Sequence, residues 1–246
     1  MMSNPYFVRT FKGAARNRLF LFPYAGGGAS AFHSWQKHFT DTEILPAHYP
    51  GRETRIKERP LESLTLLVEE LWAGMEPLLR DGTPYYLFGH SLGTKVAYEL
   101  ALLIQQRNLP CQPEGMIIAA GKAPCLKETH PIHQLNDAHF IREIGRFSAT
   151  PPSILASPQL MGLFLPTLRA DFRLDETYHR REIEKVKCPI LTLMGEQDPE
   201  LTLDELLMWR NYTQGDFAVQ TVAGAHMFIL TNKEAVLRIL QDYLGS

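Results

Sequence analysis

Short apolar runs alternate with longer helical patterns along this chain, and this alternation constrains the fold more than any other feature. Apolar runs bounded by turn residues predict buried strands, whereas an apolar stripe with helical periodicity predicts a helix. Strands that alternate with helices form a parallel sheet covered on both faces. We therefore predict an α/β fold, with a mostly parallel central sheet flanked by helices. The predicted strands are residues 19–23, 43–48, 85–88, 116–119, 190–194 and 217–222. The predicted helices of the alternation are residues 31–39, 64–79, 92–106 and 233–244.

One segment interrupts the alternation. Residues 122–186 contain helical patterns and prolines but no strand-like run. Ser157 followed by Pro158 is typical of an N-cap and the first position of a helix, and Pro166 should kink that helix. We predict a single domain over residues 1–246, with a helical insertion at residues 122–186 above the sheet.

Composition narrows the classes of function. The chain has 246 residues and a net charge of −2, which gives no electrostatic reason to expect binding to nucleic acid or to an anionic membrane. The chain contains no run of about 18 apolar residues, so we predict no membrane span. The first twelve residues lack an apolar signal core, which favours a cytoplasmic location. The chain has three scattered cysteines, Cys111, Cys125 and Cys188, and we expect them to be reduced thiols. None lies in a C-x-x-C pair, so the sequence does not indicate a zinc site.

The strongest chemical signal is Gly89-His90-Ser91-Leu92-Gly93, which matches G-x-S-x-G. It follows a predicted strand and begins a predicted helix, which is the context of a nucleophile elbow. The alternative is an ordinary glycine-rich turn between strand and helix. In the elbow interpretation, Ser91 is the nucleophile of a serine hydrolase.

A nucleophilic serine needs a base, and the base needs a carboxylate that holds its tautomer. Among nine histidines, His226 is the one in a short loop between a late strand and the final helix. Asp198 follows the strand at residues 190–194, although it could instead cap the next helix, and Glu196 competes for the same role. The order Ser91, Asp198, His226 is that of α/β-hydrolases.

The transition state also needs two backbone donors for its oxyanion. One should be the N–H of Leu92, directly after the nucleophile, and we assign the other to Ala25 in the glycine-rich loop after the first strand. That loop could suggest phosphate binding, but it lacks the Lys-Ser/Thr of a P-loop.

Several motifs together resemble the type II thioesterases that accompany non-ribosomal peptide and polyketide synthases. The resemblance spans residues 18–244, and its most specific parts are Pro50-Gly51-Arg52-Glu53 and Leu168-Arg169-Ala170-Asp171. It implies that Ser91, Asp198 and His226 form the triad, that Ala25 and Leu92 supply the oxyanion donors, and that the insertion is a lid over the acyl pocket. It further implies an acyl thioester substrate on the phosphopantetheine arm of an acyl or peptidyl carrier protein, a monomeric enzyme and no bound cofactor or metal.

Two residues depart from the family pattern. Lys95 stands where a smaller or apolar residue is expected, which questions the polarity of the pocket, and Met227 follows the base where an aromatic residue is more usual. Three alternatives remain open: a carboxylesterase or lipase, a medium-chain fatty acyl thioesterase, and an acyl-transferring or non-catalytic partner of a synthase.

Two further expectations concern the surface. Residues 136–172 should move as a lid, because they lie outside the alternation and contain proline hinges. Carrier proteins are usually acidic around their modified serine, so cations should surround the pocket entrance. The candidates are Arg52, Arg55, Lys122, Lys127, Arg142 and Arg169.

Overall fold

A computed structural model describes residues 4–109, 112–147 and 149–245. Six strands form one sheet in the order β2-β1-β3-β4-β5-β6, and every neighbouring pair is parallel. The strands are β1 (Asn17–Phe22), β2 (Thr42–Pro46), β3 (Tyr85–His90), β4 (Gly115–Ala119), β5 (Ile190–Gly195) and β6 (Phe217–Val222). The predicted parallel sheet is confirmed, and each predicted strand lies within two residues of the observed one.

Strands β1 to β5 are buried on both faces because helices cover both faces, whereas β6 at the edge of the sheet is partly exposed. Along β1, Phe20 and Phe22 belong to one buried cluster, while Leu19 and Leu21 belong to the other. The first face packs against α1 (Leu64–Leu79) and α2 (Leu92–Gln106). The second face packs against α8 (Lys233–Leu244). The observed bounds of these three helices equal the predicted ones.

The predicted helix at residues 31–39 is wrong. The segment instead forms two short 3-10 helices, Ala29–Phe32 and Trp35–His38. Phe32 and Trp35 are fully buried and give the segment its helical apolar spacing. The Gln36 amide, however, bonds to backbone atoms of Phe39, Thr42 and Ile44, at 3.2, 3.0 and 2.9 Å. These bonds tie the segment to β2, and side-chain bonds to the backbone compete with helix hydrogen bonds.

Between β4 and β5, the described residues form helices and loops. The helices are α3 (Asp137–Ile144), α4 (Pro152–Leu155) and α5 (Pro158–Thr177). They share a small core of their own, in which Phe140, Met161 and Phe172 are buried. The Ser157 side chain caps α5 by accepting a hydrogen bond from the Leu160 N–H, and the helix continues past Pro166. The limits of the insertion, residues 122–186, remain an interpretation.

Within the insertion, a 3-10 helix (Gly145–Phe147) follows α3, and four other short elements lie outside the insertion in the described chain. A 3-10 helix (Glu53–Arg55) follows β2, α6 (Leu203–Leu207) leads into the 3-10 helix Met208–Tyr212, and α7 (Phe228–Thr231) precedes α8. Within the described ranges, no helix has the length and apolarity needed to cross a bilayer. Cys125 and Cys188 are free thiols, and burial raises the pKa of Cys188 to about 12. Cys111 lies outside the described residues.

Candidate active site

Ser91 occupies a strained turn between β3 and α2. Its backbone has φ 53° and ψ −118°, a left-handed conformation that non-glycine residues rarely adopt. Glycine is required on both sides of it. A Cβ atom on Gly89 would lie 2.2 Å from the Gly93 carbonyl oxygen, and one on Gly93 would lie 1.9 Å from the Phe22 carbonyl oxygen. The G-x-S-x-G spacing therefore has a steric cause, which is the close approach of α2 to β1 and β3.

Ser91, His226 and Asp198 form one hydrogen-bonded chain. His226 Nε2 lies 3.1 Å from Ser91 Oγ, and His226 Nδ1 lies 2.9 Å from Asp198 Oδ2. Because a carboxylate only accepts hydrogen bonds, Asp198 favours the tautomer with its proton on Nδ1. Nε2 is then free to accept the serine proton, which is the arrangement of a serine nucleophile with its base.

The structure distinguishes the two candidate carboxylates. The Asp198 side chain is fully buried, and its second oxygen accepts a 2.9 Å hydrogen bond from the Glu200 N–H. Asp198 therefore binds the base through one oxygen and the following turn through the other, whereas the next helix, α6, is capped by Thr202 and not by Asp198. Glu196 is exposed, and its carboxylate accepts a hydrogen bond from the neighbouring Gln197 amide at 3.4 Å.

Aromatic rings surround the imidazole of His226. Phe147, from the insertion, lies 5.7 Å from it between ring centroids, and His90 lies 5.5 Å away on the sheet side. His90 is fully buried and also packs against Tyr24 and Phe228. Burial, reinforced by the neighbouring His226, holds the pKa of His90 well below its ordinary value, so His90 is neutral. Sequence patterns assign no role to His90, since no periodic signal indicates which rings meet around a base.

Leu92 and Ala25, which carry the two predicted oxyanion donors, lie at the start of α2 and in the loop after β1. Leu92 is the first residue of α2, so its N–H has no acceptor within the helix. Ala25 lines the same cavity as Ser91 and belongs to residues 23–28, here called the glycine loop. Within the glycine loop, the Gly26 and Gly27 N–H groups are bonded to Asp171 and Tyr24, whereas the hydrogen bonds of the described residues include no acceptor for Ala25.

A cavity of about 940 Å³, part of it open to solvent, adjoins Ser91 and His226. Apolar side chains from the insertion, among them Ile144, Phe147 and Phe172, form much of its wall. The wall also contains ion pairs, so the doubt that Lys95 raised about pocket polarity is justified. These pairs are Lys95–Asp175 at 2.6 Å, Lys122–Glu128 at 3.0 Å and Arg146–Glu200 at 3.2 Å. No cluster suited to a metal ion is present in the part of the chain that the structure describes.

Most of the cations predicted for the entrance form ion pairs with carboxylates of the chain itself. Arg52 is buried in an ion pair with Asp171, so its prediction as a docking residue is wrong. Arg55 is paired with Glu58, Lys122 with Glu128, and Arg169 with Asp137 and two backbone carbonyls. Lys127 is exposed, and Arg142 is 71% exposed although it lies 3.6 Å from the Glu143 carboxylate. Local sequence does not indicate which of these cations form ion pairs with residues that are distant in the chain.

Fold and site together define a serine hydrolase with the α/β-hydrolase architecture. The sequence profile of the thioesterase domain family matches residues 17–244, and the chain belongs to this family.

Several individual members of the family are similar to this chain over most of its length. Thioesterase PikA5 of Streptomyces venezuelae is 36% identical over 240 residues, which cover 96% of this chain and 85% of that protein. The gramicidin S biosynthesis protein GrsT of Aneurinibacillus migulanus is 35% identical over 242 residues, which cover 96% of this chain and 93% of that protein. Among solved structures, YbtT, the type II thioesterase of the yersiniabactin non-ribosomal peptide and polyketide pathway, superposes with a TM-score of 0.85 at 30% identity. That superposition covers 96% of this chain and 97% of YbtT.

Proposed function

We propose that this chain is a type II thioesterase, which hydrolyses aberrant or stalled acyl groups from the phosphopantetheine arm of carrier proteins in peptide or polyketide assembly. The observation that carries the proposal is the hydrogen-bonded chain of Ser91, His226 and Asp198 at the wall of a cavity. Similarity to a type II thioesterase of a synthase pathway and to a gramicidin S biosynthesis protein supports the choice of substrate.

In the first half of the reaction, Ser91 Oγ attacks the thioester carbonyl carbon while its proton passes to His226 Nε2. The Ala25 and Leu92 N–H groups donate to the oxyanion, and each such donor contributes about 3 kcal/mol to transition-state stabilisation. The carbon–sulfur bond then breaks, and the departing thiolate takes the proton from His226. An acyl-serine ester remains.

In the second half, water attacks the ester carbonyl and gives its proton to His226. The bond between Ser91 Oγ and the acyl carbon breaks, the serine recovers a proton from His226, and the carboxylic acid leaves. Asp198 holds the imidazole in the useful tautomer and stabilises the imidazolium in both halves. These steps need no cofactor beyond the pantetheine arm that the substrate brings.

We also propose a partner, a cellular location, an oligomeric state and a domain organisation for the enzyme. The carrier protein is its partner, the chain acts as a monomer in the cytoplasm, and residues 1–246 are one domain in which residues 122–186 cover the acyl group. Exposed cations near the cavity, such as Lys127 and Arg142, would favour an acidic carrier through long-range attraction.

The test compares the same acyl group on a carrier protein, on coenzyme A and on nitrophenol, at low and high salt. We expect kcat/KM on the carrier to exceed that on coenzyme A by at least ~10-fold, with a smaller margin at high salt because screening weakens steering. Charge reversal at Lys127 and Arg142 should reduce the margin without changing the rate on nitrophenyl ester.

Ser91→Ala is the control for the chemistry, and it should lose at least ~10³-fold in turnover while remaining folded. Full activity in this variant would refute the site assignment. Equal rates on carrier and coenzyme A, without salt dependence, would indicate a general acyl thioesterase, and fastest cleavage of the nitrophenyl ester would indicate a carboxylesterase.

A further inference from the structure

Two charged side chains from distant parts of the chain meet beneath the glycine loop. Arg52 lies in the loop after β2, and Asp171 lies on α5. They form a bidentate pair, with Nη1 to Oδ2 at 2.6 Å and Nη2 to Oδ1 at 2.8 Å. Their side chains are only 7% and 2% exposed, so the pair is shielded from solvent.

The same atoms hold the backbone of the glycine loop. Asp171 Oδ2 accepts a 2.7 Å hydrogen bond from the Gly26 N–H, and Arg52 Nη1 donates a 2.9 Å bond to the Gly27 carbonyl. Gly26 has φ +76°, a conformation that suits glycine, and its N–H points toward Asp171 on α5. The ion pair thus forms hydrogen bonds with two neighbouring backbone groups of one tight turn.

These hydrogen bonds also restrict the orientation of the peptide that carries the Ala25 N–H. The Gly27 N–H donates to the Tyr24 carbonyl at 2.8 Å, which closes the turn. Tyr24 C=O and Ala25 N–H belong to the same planar trans peptide, so they point in opposite directions. Fixing the carbonyl toward Gly27 fixes the Ala25 N–H away from it.

The neighbour of Arg52 secures the end of the loop. Glu53 accepts hydrogen bonds from the Ala29 N–H at 3.1 Å and the Ser30 N–H at 2.9 Å. A Cβ atom on Gly28 would lie 2.4 Å from the Glu53 carboxylate, so the carboxylate fits closely against the loop. Two consecutive charged residues therefore bind one loop from two directions.

Packing alone does not account for a charged pair at this place. A buried ion pair carries a large desolvation cost, and an apolar pair of similar volume often stabilises a protein at least as well. Only polar atoms, however, can bind the amide and carbonyl of the glycine loop. A lone carboxylate beside an oxyanion donor would oppose the developing negative charge, and the Arg52 guanidinium neutralises it.

We infer that Arg52 and Asp171 are positioning residues that orient the Ala25 N–H toward the oxyanion, an inference that rests on the proposed function. The test uses Asp171→Asn and Asp171→Leu, together with Arg52→Lys and Arg52→Leu. Each is assayed for nitrophenyl ester hydrolysis, for affinity to an alkylboronic acid that forms a tetrahedral adduct with the serine, and for thermal midpoint. None of these measurements requires a carrier protein, so failure of the carrier hypothesis does not affect the result.

We expect kcat to fall about 10- to 100-fold in the leucine variants, less in Asp171→Asn and Arg52→Lys, with KM changed by less than about 3-fold. Boronate affinity should fall in parallel with kcat/KM, because both report on the oxyanion donors. Arg173→Ala is the matched control, since it removes an exposed ion pair with Glu62 from the same helix. Its kinetics should be unchanged.

A purely structural role would give a different pattern. The thermal midpoint would then fall in proportion to activity, while the folded fraction would keep its kcat and its boronate affinity. That pattern, or a rise in KM at constant kcat, would overturn the inference. Asp171→Asn keeps the shape of the side chain and an acceptor for Gly26, so it provides a folded variant even if the leucine variants do not fold.

Discussion

At the scale of single residues, Lys95 adds a largely buried ion pair to the wall of the cavity. Lys95 lies one turn after Ser91 on α2, and its Nζ donates to the Asp175 carboxylate and carbonyl, both at 2.6 Å. The Lys95 side chain is 12% exposed. An acyl chain that reaches this pair removes water from it and supplies no polar contact in return. We therefore expect the enzyme to favour acyl groups that are short or polar.

Replacing Lys95 with methionine should shift this preference toward longer chains. Burial of each methylene is worth about 0.8 kcal/mol, so two newly accommodated methylenes correspond to a ratio of about 10. We expect kcat/KM for octanoyl donors, relative to acetyl donors, to rise by about this factor in Lys95→Met. The double variant Lys95→Met/Asp175→Leu removes the unpaired carboxylate as well, and Arg107→Met serves as a control outside the cavity. An unchanged octanoyl-to-acetyl ratio in the single and double variants would contradict the prediction.

His90 supports a prediction about pH. Its pKa lies well below the ordinary value because the ring is buried, and His226 adds to the effect. A neutral His90 exerts no repulsion on the His226 imidazolium, so His90→Phe should leave the acid midpoint of the kcat/KM profile unchanged. If His90 were protonated in the working range, its removal would relieve repulsion of the His226 imidazolium and shift the midpoint upward. Measured profiles of the two proteins separate these outcomes.

At the scale of elements, the insertion has a fixed part and a looser part. The Thr167 hydroxyl donates to the Gly51 carbonyl at 2.6 Å, and Asp171 binds Arg52 and Gly26. The Leu168 side chain lies so close to Gly26 that a Cβ there would be 2.4 Å from it. The second half of α5 is therefore attached to the catalytic loops, whereas α3 and α4 pack largely on the small core of the insertion.

This division changes the predicted lid. A lid over residues 136–172 would carry the attached half of α5 with it, so we place the mobile part at α3 and α4. In hydrogen exchange, amides of α3 and α4 should exchange faster than those of residues 167–172, which should approach the protection of α2. Equal protection across the whole insertion would contradict a division within it.

The limits of sequence-based prediction also follow from these elements. Ser91, Asp198 and His226 could be found because each follows a strand in a loop whose place the alternation fixes. The pairing of Arg52 with Asp171 spans 119 positions, and no local pattern indicates it. The segment at residues 29–38 misled the prediction, because helical spacing of aromatic residues is met equally by two short turns tied down by Gln36.

At the scale of the whole molecule, a buried arginine connects the sheet to the layer of α1. Arg18 on β1 is 3% exposed and binds Glu43 of β2 at 3.0 Å and Asp81, beyond the end of α1, at 2.6 Å. Arg9 approaches the same Glu43 at 2.6 Å. The arginine therefore joins two neighbouring strands to the end of a covering helix, and its charge is balanced by carboxylates on both sides.

This network makes stability depend on pH in a defined direction. The hydrogen bond from Arg18 holds the pKa of Asp81 well below its usual range. A carboxyl group with a depressed pKa in the folded state contributes stability above its unfolded pKa of about 3.9 and loses it as the pH falls toward the folded pKa. Because the Asp81 side chain is 54% exposed, screening limits the contribution to about 1 kcal/mol or less.

We therefore expect Asp81→Asn to lower the free energy of unfolding at pH 7 by about 0.5 to 1 kcal/mol and to lower it less as the pH falls below about 4. Arg18 keeps Glu43 as a partner in this variant, so no buried charge is orphaned. Urea unfolding at a series of pH values measures the difference. Glu76→Gln is the control, because it removes an ion pair with Arg80 in which both side chains are exposed, at 43% and 72%. A difference for Asp81→Asn that stays constant down to the acid limit of folding would show that the interaction does not depend on the charge of Asp81.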